Sequence, residues 1–233
     1  TYCSSYSPHD RHYFNEQKEL VAGVVQAPRL DLLNKELLTA HLNALAISEI
    51  GLPGLEGTEE SKPSLMNFVD EDQEGMPLLS EVRSGLAIQP KKFADLKAAF
   101  TRVIADIKPQ LAQKADTWYN DQWVERTLND IANSLDGSLN RWRKLFKASR
   151  LLLNKATIKL DSGILEPDEY KKQKRNVDHA TRQLNLLRNN TGRRSTELSE
   201  FYPYRYLAAE GFLPGYNFTR LPIRIYLPTS DAT

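Results

Sequence analysis

The stretch that decides the fold is RWRKLFKASRLLLNKATIKLDSGILEPDEYKKQKRNVDHATRQLNLL, residues 141–187. Upstream of it and into it, Val124, Leu128, Ile131, Leu135, Leu139, Trp142, Phe146, Ser149, Leu153, Ala156 and Leu160 step by threes and fours. From Leu128 this is close to a heptad seam, which predicts a very long helix beginning near Thr117. Gly137 falls inside it and costs such a helix about 1 kcal/mol relative to Ala. Asp161-Ser162-Gly163 is a stop, and Pro167-Asp168-Glu169 is a restart with acids in the first turn. The return helix carries Tyr170, Gln173, Val177, Ala180, Leu184 and Leu187 at steps of three and four. A connection this short makes the two helices antiparallel neighbours, so residues 123–190 are expected to form a coiled-coil-like hairpin.

Working outward, Leu30, Leu33, Leu37, Leu38, Leu42, Leu45 and Ala46 form another helical stripe. Asn34 is placed to cap it, and Gly51-Leu52-Pro53-Gly54 stops it. A third stripe comprises Phe93, Leu96, Phe100, Val103, Ile104 and Ile107, with Pro109 as its expected end or kink. Ser7-Pro8 reads as the start of a short helix. Residues 1–6 and Arg220 to Leu227 read as strands without partners nearby in sequence. Strands need neighbours to pair their backbone groups, so the expectation is a mainly α chain whose short end strands complete sheets outside it. Four regions follow: 1–54, an acidic loop region 55–90 that reads as a loop or as an acidic surface with short helical turns, a helical region 91–194 with the basic hairpin, and an aromatic-rich joint 195–233. In 233 residues, roughly 70% of the unfolded surface can be buried.

Charge is nearly balanced overall, with 31 Lys+Arg against 30 Asp+Glu. A global basic field therefore cannot argue for nucleic acid, and any such argument must be local. It is local. From Gly137 to Arg194 there are fifteen basic and five acidic residues, a balance of +10. Arg141, Arg143, Lys144, Lys147, Lys171, Lys174, Arg175 and Arg182 are the candidate phosphate contacts, with the first four expected beside the seam and facing water. Three destinations fit such a face: a nucleic-acid backbone, an acidic protein surface, or water alone. The acidic surface could belong to a partner subunit or to residues 56–81 of this chain, which hold eight acids and one base, Lys62.

Catalytic motifs are missing: the sequence has no phosphate-binding glycine loop, GxGxxG, HExxH or nucleophile elbow. His9 and His12 flank Asp10 within one turn but lack a third metal ligand, and His41 and His179 are far away in sequence. Asp70 and Asp72 lack apolar walls and read as solvated. The single cysteine, Cys3, excludes an intrachain disulfide and fits a reducing, cytoplasmic compartment. No apolar run of membrane-spanning length occurs, so no membrane partner is expected. Residues 201–218 interleave aromatics with Arg205. Tyr202, Tyr204, Arg205, Tyr216, Asn217 and Arg220 mark a structural, aromatic motif; its aromatic rings with Arg205 and Arg220 could stack bases, but an aromatic mini-core is the favoured physical reading.

Three segments carry a family resemblance: TYCSSYSPHDRHYF (1–14), VAGVVQAPRLDLLNKELLTAHLNAL (21–45) and FYPYRYLAAEGFLPGYNFTRLPIRIYLP (201–228). They resemble the region just after the last helicase motif in large DEAD/DEAH-box superfamily-two helicases. The type is that of DISARM phage-defence systems (DrmA-like) and MrfA-like repair helicases. The middle of the chain has no counterpart in the resemblance and reads as a helical insertion. The resemblance implies a parent ATP-dependent DNA translocase whose ATP and Mg sites lie before Thr1. No catalytic residue and no cofactor site is thereby carried over to this chain. It also implies DNA and the rest of the motor as partners, with the Tyr204-Arg205 segment as a joint near the motor.

Overall fold

The computed structural model describes residues 8–18, 33–55, 63–113, 118–189 and 201–215. The chain divides into two units, residues 1–32 and 33–233. In the first, α1 spans Pro8–Asn15, starting at the proline that the sequence marks. Both expected end strands, and the aromatic-motif residues Tyr216, Asn217 and Arg220, lie outside the described residues.

The second unit is mainly helical, as the periodicities predict. Its first helix, α2, spans Lys35–Ile50. The Asn34 side chain accepts the Leu37 N–H at 3.0 Å, and Gly51 ends the helix at φ 77°, a left-handed conformation that favours glycine. Leu38, Leu42 and Ala46 enter the core from one face.

Residues 65–86 carry short helical turns, one of the two expected forms. A 3-10 turn at Leu65–Phe68 and helix α3 at Ser80–Gly85 flank one isolated antiparallel bridge, Val69 to Leu78. The Asp70 and Leu79 amides donate to Pro77 and Phe68, each at 2.9 Å. Leu65, Phe68, Val69, Met76, Leu78, Val82 and Leu86 are all buried. Asp72 and Glu74 at the tip and Glu81 in α3 are exposed, and Glu71 is partly so. Their apolar neighbours have no regular period, so the sequence shows the acids and hides the core residues between them.

Helix α4 (Pro90–Val103) buries Leu96 and Phe100. Pro109 does not end this helix: Ile104 caps it, and Pro109 lies in the first turn of α5 (Lys108–Gln113). That position has an unpaired N–H in any case, so proline is tolerated there.

The expected single long helix is three: α6 (Asp121–Asn129), α7 (Ile131–Ser138) and α8 (Asn140–Asp161). The whole predicted seam is nevertheless buried from Val124 to Phe146. The breaks at Asp130 and Leu139 let one apolar stripe wrap a core that a straight rod could touch only at one place. At the second break, Tyr206 supplies the hydrogen bonds that the interrupted helix lacks. Its hydroxyl accepts the Trp142 N–H and donates to the Ser138 carbonyl, both at 3.0 Å. Tyr206 comes from α10 (Pro203–Ala209), whose Leu207 is also buried.

Helix α9 (Pro167–Leu187) returns antiparallel to α8. Lys159 reaches Glu169 at 3.6 Å near the turn, while the Trp142 indole donates to the Leu187 carbonyl at 3.0 Å at the base. Tyr170, predicted to face the seam, is half exposed, because the seam loosens toward the turn. No described helix is long and apolar enough to cross a membrane.

Gly137 meets nothing within 4 Å of where a Cβ would sit. Gly137→Ala is expected to stabilise the protein by roughly 0.5–1 kcal/mol through helix propensity, read as a higher denaturant midpoint at unchanged slope.

Candidate nucleic-acid interface

The hairpin's cations divide by what surrounds them. Arg143 is a correction to the expectation that it faces water: it is buried, 8% exposed. Its Nε donates to the Met76 carbonyl at 2.9 Å and its Nη1 to the Asp136 carbonyl at 2.8 Å. Asn140 Oδ1 accepts a further bond, and the Asp136 carboxylate pairs with Nη2. Four of the guanidinium's five N–H donors are thus engaged, and it joins the acidic tip, α7 and the start of α8. Met76 adopts φ 55°, uncommon for a residue with a Cβ, and its carbonyl is one of the acceptors.

Arg141 is also engaged. Its Nε pairs with Glu210 and its guanidinium lies 5.0 Å from the Tyr206 ring centre. Burial, and secondarily the nearby Glu210 carboxylate, push the Tyr206 phenol up to about 12. Arg141 therefore belongs to the joint between hairpin and α10.

Lys144, Lys147, Lys171, Lys174, Arg175 and Arg182 are exposed. Lys171 lies 3.8 Å from Asp168, itself fully exposed, a pair that contributes little. The other five have no ion pair with any described residue, and neither does exposed Lys155. Their spacing sets faces: Lys171, Arg175 and Arg182 share an outer stripe of α9, while Lys144, Lys147 and Lys155 share one on α8. Helix α8 has no acidic residue before Asp161. Acids gather near the turn instead, where Gln173 donates to Glu169 at 2.7 Å. That hydrogen bond, with Lys159 and Lys172 as lesser causes, holds the Glu169 carboxyl below the usual carboxylate range.

Two arginines and an acid that the sequence does not single out meet at the base. Arg150 and Arg188 both donate to Glu71 Oε1, at 3.3 and 3.1 Å. Arg188 also lies 5.2 Å over the Phe146 ring. The only signal for this cluster in the sequence is the opposite charge of the two segments, which names no pair.

The described part of the aromatic joint, residues 201–215, is a mini-core, the arrangement that physical reasoning favours. Phe201 and Tyr206 are buried with ring centres 6.0 Å apart, and Tyr202 and Tyr204, half-buried, pair at the same distance. Arg205 is half-buried beside them. Among the described residues, no group of three or more His, Cys, Asp or Glu could hold a metal. No protein-family model, no curated protein and no solved structure matches this chain.

The division between buried and exposed cations is open to mutation. Arg143→Ala is expected to destabilise the fold by about 1–3 kcal/mol, measured by denaturant unfolding, because it leaves the Met76 carbonyl and its other acceptors without their donor, while Asp136 keeps Arg83 at 3.7 Å. Arg143→Lys will not restore it, since an ammonium cannot reach that planar set of acceptors. Tyr206→Phe is expected to cost about 1–3 kcal/mol at neutral pH. The Tyr206 phenol titrates near 12 when folded and at 10.0 when unfolded, so folding favours its neutral form. Its contribution is complete below pH 10 and is lost as pH rises toward 12, so the gap between wild type and Tyr206→Phe should narrow across that window.

Proposed function

We propose that this chain is a DNA-engaging accessory region of an ATP-dependent helicase or translocase, working in anti-phage defence. ATP and Mg would act in the parent motor, and this chain would supply grip and docking. The parent's identity rests on the resemblance of residues 1–14, 21–45 and 201–228. The hairpin's role rests on one observation: once its internal pairs are set aside, Lys144, Lys147, Lys174, Arg175 and Arg182 still face solvent without a partner among the described residues. Unpaired cations along a rigid helix pair suit phosphates, which release counterions when neutralised. Tyr202, Tyr204 and Arg205 are then structural and do not stack bases.

A protein-docking hairpin is the second reading, and one observation favours it. Leu151 and Ile158, 54% and 69% exposed, lie seven residues apart on the lysine face of α8, where apolar atoms add nothing to phosphate binding.

Titrating duplex DNA at two salt concentrations separates the two. Reversing Lys144, Lys147, Lys171, Lys174, Arg175 and Arg182 to Glu is expected to weaken binding and to flatten its salt dependence. The flattening should be about 0.9 in log–log slope for each phosphate that is no longer neutralised. Unchanged affinity and slope would remove DNA from the hairpin and leave the docking reading. Leu151→Ser with Ile158→Ser should leave DNA affinity intact.

A further inference from the structure

Resting on that DNA reading, we propose that Arg150 and Arg188 form a seat for one phosphate of a nucleic-acid backbone. Glu71 of the acidic tip fills that seat when nucleic acid is absent.

The geometry is that of an anion site already holding an anion. Two guanidinium groups from different parts of the hairpin converge on a single oxygen, Glu71 Oε1. Planar N–H forks that accept a carboxylate oxygen accept a phosphate oxygen equally well, and a phosphodiester carries the same single negative charge. Both arginines are accessible: their side chains are 53% and 42% exposed.

The cations are held by fixed elements. Arg150 projects from α8. Arg188 follows α9 directly, with its amide bonded to the Leu184 carbonyl and its own carbonyl accepting the Ser64 hydroxyl. Phe146 lies beneath its guanidinium.

Glu71, by contrast, sits at a narrow tip. The tip closes on itself, since Asp70 accepts the Asp72 amide at 3.1 Å and the Gln73 side chain at 2.8 Å. Its root is pinned at the Val69–Leu78 bridge, so Glu71 can leave the arginines without opening the core. Exposed ion pairs of this kind hold weakly and are screened by salt, so a phosphate can exchange with the carboxylate. The Arg143–Asp136 pair nearby is a poorer place for exchange, because the Arg143 side chain is only 9% exposed and its guanidinium also holds two backbone carbonyls. Asp72 and Glu74 share the tip but make no ion pair among the described residues, which makes them charge-matched controls.

The test uses the full chain and a short duplex DNA, titrated at two salt concentrations. Glu71→Gln is expected to bind DNA roughly two- to fivefold more tightly, the range that one exposed ion pair represents. The gain should shrink as salt rises, because screening weakens the Glu71 ion pairs that a phosphate must displace in the wild type. Asp72→Asn should change affinity less, and Glu71→Gln combined with Arg150→Ala and Arg188→Ala should lose the gain. A thermal melt confirms that each variant is folded.

Three results would each overturn the seat: no gain for Glu71→Gln, an equal gain for Asp72→Asn, or a gain that survives removal of both arginines. The two readings fail differently. DNA binding that the six-site reversal weakens but Glu71→Gln leaves unchanged defeats only the seat. Absence of DNA binding by both wild type and Glu71→Gln defeats both.

Discussion

The buried guanidinium of Arg143 is the constraint on which the rest of the second unit depends. A charge that far from water is tolerated only when its hydrogen bonds are met and an opposite charge is close. Four acceptor atoms from three residues meet it: the Met76 carbonyl, the Asp136 backbone and carboxylate, and Asn140. Satisfying it fixes the acidic tip against the hairpin base, and it holds the bend between α7 and α8. Met76 keeps a left-handed backbone with its carbonyl among those acceptors.

A second set of interactions completes the same corner. Tyr206 bridges the break at Leu139 from the far end of the chain, and Trp142 caps the last carbonyl of α9 with its indole. Asn43 of α2 donates to the Phe212 carbonyl at 3.1 Å, joining the first helix of this unit to the segment after α10. The hairpin therefore leaves the core from a rigid root. Beyond that root, α8 and α9 bury mainly each other, through Ser149, Ala156, Gln173 and Ala180. A rigid root under two-helix arms is what allows exposed cations along them to act as a fixed array.

The same corner explains why the hairpin's charge overstates what it can offer a ligand. Arg141 and Arg143 belong to the joint and the core, and Arg150 and Arg188 share one carboxylate. The cations that remain are chiefly lysines and arginines on the outer stripes. An acidic segment folded against a basic one hides part of its own field, and a local charge count cannot register that.

The sequence by itself determined the hydrophobic seam, the antiparallel return and the helix ends at Asn34 and Gly51. These depend on interactions between residues three or four apart, or on the backbone freedom of one residue, and a linear reading contains both. Only the tertiary structure decided where the long helix breaks, that the acidic region buries Phe68 and Leu78, and which basic side chains stay free. Tyr206 reaches Trp142 across 64 positions, Arg143 reaches Met76 across 67, and Arg188 reaches Glu71 across 117. Periodicity records which face of a helix is apolar. It does not record which distant carbonyl or carboxylate that face will meet, and that meeting separates a structural arginine from one available to a phosphate.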